Sequence, residues 1–457
     1  MEQLDVADVP LRPRLTGCPV PLTAGQLVLW NEILKRGKRP SDLRTCAASL
    51  RLFGPLNTLL LKRSIEAVVQ RHESLRTTIV PVDSTPRQCI HPSSEYQLEM
   101  IDLSQLAPTN VEGRAKLLAQ EFIERRIDIS IGPLFEAKLL RFSNREHVLI
   151  LALDHMVSDA VSCAILSREI WALYSQAERG LPFSLPQLPV QFADYAVWQQ
   201  QAYGDWVKKH ASYWRGRLTG AQRIQLPFDD SMPKIKHLTI AMLHFPFGKA
   251  LSDKLRDMAR RERTPLPLLV LTVYAALLSS WCNAGDFVVA VASHGRYRRP
   301  ELENMIGFLA NSPRLRIEVS RKDNFLDLSR RVTQEFHSAS DHQGIGLTPD
   351  FIPECTTDAH FNWVPNWPQS SANQKGEIDN PIKMQPFPIQ PFRGVEAPFK
   401  FAPVFCDTAA GVVVTARYRP DLFEARTIER VGHNLRLFAA HFSQRPLTRI
   451  AAIHFLS

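Results

Sequence analysis

A continuous apolar run in the first third of the chain ends abruptly at a group of polar side chains. The run covers Val148–Leu153. Four polar residues follow it within six positions: Asp154, His155, Ser158 and Asp159. An apolar pattern with helical spacing then begins at Val161, so the pattern predicts a buried strand over 147–153 and a helix from Asp159 to about Ala177. An imidazole at the end of a buried strand is accessible to a substrate, which makes His155 the first candidate for chemistry.

Apolar periodicity predicts a mixture of strands and helices along the rest of the chain. Strands are predicted over 47–53, 134–142, 238–245, 287–292 and 411–417. Helices are predicted to begin after Thr23 and at Asn57, and to cover 115–126, 194–218, 249–261, 266–281 and 425–442. Because strands and helices intermix without a short repeat, the predicted fold class is α/β or α+β in two lobes.

The length of 457 residues predicts two domains, since it exceeds what one ordinary core holds. A Pro-rich stretch at 180–189 suits a boundary, because proline stiffens the chain and keeps it out of either core. We therefore predict an N-terminal lobe over residues 1–182 and a C-terminal lobe over 183–457. Residues 343–400, rich in Pro, Gly, Asn and Gln, are predicted to form a long irregular segment across the fold.

Composition excludes several classes of protein. No apolar run reaches the roughly 18 residues that a membrane-spanning helix needs. The acidic N-terminus lacks the apolar core of a secretory signal. Seven scattered cysteines without a CxxC pair argue against a zinc site and a disulfide framework. They favour reduced thiols, and we expect a cytoplasmic protein.

The net charge of +9 admits nucleic acid, an anionic membrane, or an acidic protein or phosphorylated small molecule as partner. Basic residues are dispersed, with local clusters at Lys35–Arg39 and Arg296–Arg299. Without a long basic tail or a nucleic-acid motif, we expect no nucleic-acid partner. An ordinary solvated basic surface and a surface for an acidic protein both remain open.

Each polar residue after the apolar run has two interpretations. His155 is either a core histidine bonded to backbone groups or a general base that takes a proton from an amine or hydroxyl. Asp159 either caps the following helix or pairs with an arginine to rigidify the turn that aims His155. The two roles of Asp159 are compatible.

Six short motifs occur in a fixed order along the chain. They are Pro21–Trp30, Arg71–Thr77, Gly132–Phe135, Asp194–Trp198, Ile306–Ser312 and Tyr418–Phe423. Together they resemble the condensation domains of nonribosomal peptide synthetases, relatives of the chloramphenicol acetyltransferase fold. The family carries His-His-x-x-x-Asp-Gly where this chain has Asp154–Ala160. The resemblance implies two acetyltransferase-like lobes in a V shape, with a central tunnel in which donor and acceptor meet at His155.

Two positions depart from the family motif. Asp154 replaces its first His and Ala160 its final Gly, whereas His155, the family's catalytic imidazole, is retained. Neighbouring strand residues point to opposite faces, so if His155 faces the tunnel, Asp154 faces the lobe interior. A buried carboxylate needs a partner, either an arginine or a hydroxyl. Ala160 adds a methyl group where close backbone approach is usual in the family, which would narrow the pantetheine channel or change which acceptor fits.

The resemblance also assigns roles to site residues. It implies His155 and Asp159 as the catalytic pair, and Arg296 as the salt-bridge partner of Asp159. The alternative for Arg296 is a surface arginine in a basic cluster. Ser158, Asn362 and Ser312 are expected near the substrate channel, with a helix N-cap as the alternative for Ser158.

The implied reaction is acyl transfer from a phosphopantetheine thioester on an acyl or peptidyl carrier protein to a small amine or alcohol. A thioester is already activated, so positioning supplies much of the acceleration, and the enzyme itself is expected to bind no cofactor or metal. Carrier proteins are acidic, so the positive charge would steer a transient encounter. We expect a free-standing monomeric enzyme without a membrane partner, suited to chain release by amide or ester formation. The alternatives are a non-catalytic domain that recruits partner enzymes and a coenzyme A-dependent acyltransferase.

Overall fold

The structure is a computed structural model that describes most of the chain. The described residues are 10–15, 20–35, 46–93, 95–125, 127–229, 240–296, 299–320, 322–343, 357–364, 382–389 and 399–453. The strands are β1 (Val20–Pro21), β2 (Cys46–Phe53), β3 (Thr77–Val82), β4 (Thr85–Ile90), β5 (Glu99–Asp102), β6 (Phe135–Ser143), β7 (Glu146–Leu153), β8 (Ala241–Pro246), β9 (Asp286–Val291), β10 (Arg314–Glu318), β11 (His360–Val364), β12 (Lys383–Pro386), β13 (Phe401–Thr408) and β14 (Gly411–Tyr418). The helices are α1 (Ala24–Lys35), α2 (Thr58–Arg71), α3 (Pro108–Glu124), α4 (Ala160–Glu178), α5 (Phe192–Leu218), α6 (Lys249–Arg261), α7 (Leu266–Trp281), α8 (Phe325–Asp341) and α9 (Ala425–Gln444).

The chain forms two compact units. The first comprises Met1–Trp206, Arg296–Ala310 and Trp367–Arg393, and the second Val207–Gly295, Asn311–Asn366 and Gly394–Ser457. The predicted lobes, 1–182 and 183–457, stay a prediction about domain organisation. The compact units differ from them because α5 belongs to both units and two later segments belong to the first unit.

The first unit is built around a five-stranded sheet in the order β12-β2-β7-β6-β5, beside a three-stranded sheet in the order β1-β4-β3. The central strand β7 is buried on both faces. Leu149, Leu151 and Leu153 pack in a core with residues of α2 and α4. Val148 and Ile150 pack in a second core with residues of α3. Two covered faces explain why the sequence of β7 is continuously apolar instead of alternating.

The second unit holds a six-stranded sheet in the order β10-β9-β11-β13-β14-β8. Strand β11 pairs in parallel with β9 and β13, and the other neighbours are antiparallel. Helix α7 was predicted to be buried on all sides, and every side chain from Leu268 to Leu278 is buried, which confirms that prediction. No single helix in the described ranges is long and apolar enough to cross a membrane, and the only candidate there is the α6–α7 pair, bent by 109°.

Local sequence patterns predicted the longer elements well. Helices α6 and α7 have the predicted bounds, and Thr23 and Asn57 cap α1 and α2. Helix α3 begins seven residues earlier than predicted, at Pro108, because proline is tolerated in the first turn of a helix. The structure confirms a mixed α/β fold.

The prediction of an irregular segment over 343–400 is wrong for two parts of it. β11 lies inside the sheet of the second unit, and β12 is an edge strand paired with β2. Both strands have five residues or fewer, which is too short for a reliable alternating pattern. No strand was predicted over residues 401–408, which form β13 and pair along their whole length with β14.

Candidate active site

The polar residues after β7 form a tight turn that leads into α4. Asp154 is fully buried, and its Oδ1 accepts the backbone N–H of Met156 at 2.8 Å. The Ser158 hydroxyl donates to the Asp154 carbonyl at 2.8 Å. Asp154 and His155 lie beyond the end of the strand, so the argument from strand alternation does not apply to them. The two side chains nevertheless differ as expected, because Asp154 is buried and His155 is partly exposed.

The turn fixes the orientation of the His155 imidazole. Its Nδ1 lies 2.9 Å from the Ser158 carbonyl oxygen. A carbonyl oxygen only accepts hydrogen bonds, so Nδ1 carries the proton and Nε2 is the nitrogen left for other partners. The ring of Phe308 lies 5.4 Å from the imidazole, centre to centre, at an angle of 57°. His155 can therefore be bonded to the backbone through Nδ1 and still present Nε2 for chemistry, so its two interpretations are compatible.

A cysteine that sequence reasoning did not single out touches the same nitrogen. The sulfur of Cys46, at the start of β2, lies 3.6 Å from His155 Nδ1. Burial by itself would lower the pKa of His155. The Cys46 sulfur, the Ser158 carbonyl and the carboxylate of Asp154 outweigh that effect and raise the pKa to about 9. The imidazole of this site consequently favours its protonated form.

Asp159 has both of the roles that the sequence allowed. Its Oδ1 accepts the backbone N–H of Ser162 at 2.8 Å, which makes it the N-cap of α4. The same carboxylate forms a two-point ion pair with Arg296, at 2.9 Å from Oδ2 to Nη1 and 3.2 Å from Oδ1 to Nη2. The side chains of this pair are 2% and 4% exposed. The interpretation of Arg296 as a surface residue is wrong, and so is that of Ser158 as the N-cap.

The ion pair also binds the Met305–Leu309 segment to the turn. Arg296 Nη2 donates to the Met305 carbonyl at 2.9 Å, and the Leu309 N–H donates to Asp159 Oδ2 at 3.2 Å. The Gly307 N–H donates to the Ser162 hydroxyl at 3.1 Å. A Cβ on Gly307 would lie 2.2 Å from the ring of Phe192, so only glycine fits at this close approach.

Motifs that are far apart in the sequence meet at this turn. Gln26 Nε2 donates to the Met156 carbonyl at 2.7 Å, and the Asp154 N–H donates to the Leu134 carbonyl at 2.8 Å. The Ser74 hydroxyl donates to the Ile306 carbonyl at 2.8 Å. Four of the six motifs thus support the same few residues of the first unit.

The remaining predicted residues differ in burial and in the unit to which they belong. Ala160 is the exposed first residue of α4, and Ser158 is fully buried. Asn362 is the central, partly exposed residue of β11, and Ser312 precedes β10, both in the second unit. Their expected places along a substrate channel stay predictions.

Sequence reasoning missed two neighbours of His155, Cys46 and Phe308, which contact it directly. It also missed Cys163, which packs in the same apolar core as Cys46. Phe308 lies within a recognised motif, which was the one signal available. In the ranges that the structure describes, no group of three or more His, Cys, Asp or Glu side chains is placed to hold a metal ion.

Fold and site together define a mixed α/β protein with an imidazole presented at a strand end, an arrangement suited to proton transfer or to orienting a nucleophile. The family model of the condensation domain matches residues 39–457, and the chain belongs to the condensation domain family. Members of this family form amide or ester bonds between substrates carried as phosphopantetheine thioesters.

Three known proteins illustrate this relationship. The phosphinothricin tripeptide synthetase PhsC of Streptomyces viridochromogenes is 31% identical over 98% of this chain, which spans 41% of that longer protein. The X-domain in its complex with OxyB from teicoplanin biosynthesis has a TM-score of 0.80 at 23% identity, covering 98% of both chains. The SgcC5 protein from Streptomyces globisporus has a TM-score of 0.77 at 22% identity, covering 94% of this chain and 100% of that one. The two structural matches show the fold alone.

Proposed function

We propose that the protein transfers an acyl, polyketide or peptidyl chain from the phosphopantetheine thioester of a carrier protein to a small amine or alcohol. In this proposal the transfer releases the chain as an amide or ester. The observation that supports this most directly is the His155 imidazole, which is partly exposed and held at Nδ1 by the Ser158 carbonyl. Nε2 is therefore the nitrogen that meets the acceptor.

In the proposed reaction, the nitrogen or oxygen of the acceptor attacks the thioester carbonyl. The new C–N or C–O bond replaces the C–S bond, and the phosphopantetheine thiol leaves with a proton. Nε2 of His155 either removes the acceptor's proton or orients the reacting groups by hydrogen bonding. Holding both substrates in place supplies much of the acceleration, because the thioester is already activated. The tunnel and the V shape that the family resemblance implies stay part of this proposal.

The pH dependence separates the two roles of His155, whose pKa is raised to about 9. A general base must be neutral, so kcat/KM would rise as the pH increases through about 9. An imidazolium that orients the substrate by donating a hydrogen bond would give a fall over the same range. Measurement of kcat/KM against pH with an acceptor that does not titrate, such as an alcohol, determines which role applies.

The proposed donor partner is an acidic carrier protein that binds transiently to a monomeric enzyme. The net charge of +9 supports this choice, since opposite charges accelerate the encounter of two proteins. The acceptor remains open between amines and alcohols. The SgcC5 structure contains a naphthyl-substituted ethanediol, which is a reason to include diols among the acceptors tested.

A second candidate function is recruitment of a partner enzyme without catalysis. Its support is the similarity to an X-domain that forms a complex with OxyB, together with Asp154 and Ala160 in place of the family's His and Gly. The buried ion pair and the bound imidazole of this chain favour catalysis, because they maintain a structured site around His155.

The deciding experiment offers a loaded carrier protein to the enzyme with a panel of amines, alcohols and diols, and detects products by mass spectrometry. Amide or ester formed only with enzyme supports the proposal. Equal turnover with acyl-coenzyme A in place of the loaded carrier protein would indicate a coenzyme A-dependent acyltransferase. Failure with every acceptor, beside tight binding of an oxygenase in a pull-down with purified proteins, would establish recruitment instead.

Replacing Ala160 with glycine tests the channel-narrowing hypothesis. Ala160→Gly is expected to keep the reaction and to broaden the range of acceptors, since it removes one exposed methyl group at the start of α4. The change should cost at most about 1 kcal/mol of stability, the usual penalty of glycine in a helix. Relative kcat/KM values for small and bulky acceptors give the readout, and complete inactivation would refute the hypothesis.

A further inference from the structure

The contact between Cys46 and His155 comes from the pairing of two strands. Cys46 opens β2 and lies directly opposite Leu153, the last residue of β7. This register places its sulfur beside the turn that follows β7, 3.6 Å from His155 Nδ1. The Cys46 side chain is buried and belongs to the apolar core between the sheet and α4, which also contains Cys163. The sulfur is therefore fixed by the core on one side and faces an imidazole on the other.

The Nδ1–H of His155 faces two acceptors. One is the Ser158 carbonyl at 2.9 Å, and the other is the Cys46 sulfur at 3.6 Å, within reach of a hydrogen bond to sulfur. A thiolate accepts such a bond better than a thiol, and its negative charge stabilises an imidazolium. The sulfur lies on the Nδ1 side of the imidazole, as the carboxylate does in a Ser-His-Asp triad, and it shares Nδ1 with the Ser158 carbonyl.

Cys163 supports the anionic form of Cys46. A hydrogen bond from the Cys163 thiol lowers the pKa of Cys46 and, together with the charge of His155, outweighs the burial that would raise it. The same bond and burial raise the pKa of Cys163 well above its usual value, so Cys163 is the donor. The pKa values of the two cysteines therefore move in opposite directions, which favours ionisation of Cys46 over that of Cys163.

We propose that Cys46 is a positioning residue of the site, and that its sulfur orients His155 through Nδ1 and stabilises the imidazolium form. The proposal rests on the proposed function for the part that His155 has in acyl transfer. The proposal holds whether His155 acts as a base or as a hydrogen-bond donor, because the protonation state of the imidazole determines both roles.

Removing the Cys46 sulfur by mutation leaves the other charged groups around Cys46 and His155 unchanged. Asp154 favours the imidazolium through its charge, and Asp159 opposes ionisation of both thiols. Asp159 is itself neutralised by Arg296. Removing the Cys46 sulfur alone should consequently lower the pKa of His155, by about 1–3 pH units if an opposite charge at this distance is removed.

The first test compares pH profiles of kcat/KM for the natural protein, Cys46→Ala, Cys46→Ser and Cys89→Ala. Serine keeps the size of the side chain but does not ionise in the working range, so both Cys46 variants should shift the His155 inflection to lower pH by about 1–3 units. Cys89, a partly buried thiol on β4, is the matched control, and its variant should keep the natural profile. An inflection that stays in place in both Cys46 variants would overturn the proposal.

The second test needs no acyl-transfer activity. The ultraviolet absorbance of the thiolate is titrated as the difference between the natural protein and Cys46→Ala, and again in a His155→Ala background. We expect Cys46 to ionise well below an ordinary thiol, and ionisation to move to higher pH when His155 is absent. If Cys46 titrates like a free cysteine in both backgrounds, the pair does not exist. A depressed titration in a protein that transfers no acyl group would confirm the pair and reject only the proposed function.

Discussion

Replacing His155 with alanine is expected to slow acyl transfer by about 10²–10⁴-fold, the range typical of losing one acid–base group. The stability should change little. His155 is partly exposed, and the substitution removes the hydrogen bond from Nδ1 to the Ser158 carbonyl, worth about 1 kcal/mol net. Single-turnover rates with a loaded carrier protein measure the first effect, and urea unfolding measures the second.

Two further variants make the His155 experiment specific. His91→Ala removes an exposed histidine of the same unit and should leave the rate unchanged. His155→Gln places an amide N–H near the position of Nε2 but supplies no base. Substantial activity of the glutamine variant would show that orientation by a donor suffices, whereas loss equal to that of alanine would indicate proton transfer. Wild-type activity of His155→Ala would reject both roles.

The parts of the fold that sequence predicted are those determined by neighbours along the chain. Helices α6 and α7 have clear apolar patterns in their own sequences. The continuous apolar run of β7 is typical of a strand that is covered on both faces. Strands β11 and β12 have no such signal, because their formation depends on partners far away in the sequence. Local physics therefore predicts long elements better than short paired strands.

The site shows the same division. His155 was identified from the break in polarity after β7, which is a local feature. The partner of Asp159 lies 137 residues away, and only the ordered family motifs pointed to Arg296. The contact with Cys46 depends on the register of β2 against β7, which no single sequence reveals. A pair of residues that meet through strand register was therefore beyond sequence reasoning.

Asp159→Asn is expected to lower the free energy of unfolding by about 3–5 kcal/mol, because it leaves the buried guanidinium of Arg296 without its counter-charge. Asparagine is as good an N-cap as aspartate, so the cap of α4 survives and the destabilisation reports the ion pair. The matched control is Asp253→Asn on α6, which removes an exposed carboxylate that pairs with Lys249 and Arg256 and should lower the free energy of unfolding far less.

The double variant Asp159→Asn with Arg296→Met separates the missing attraction from the effect of an unpaired charge. Most of the cost of Asp159→Asn should come from the stranded arginine, so removing that arginine as well should restore part of the stability. The double variant should then be destabilised by less than the sum of the two single effects.

Activity should not recover together with stability in the double variant. Leu309 and Met305 no longer have their hydrogen bonds to the ion pair, so the turn that holds His155 loses this support. Urea unfolding of the four proteins measures the coupling. Strictly additive effects, or a destabilisation in Asp159→Asn no larger than in Asp253→Asn, would show that the pair does not hold the turn.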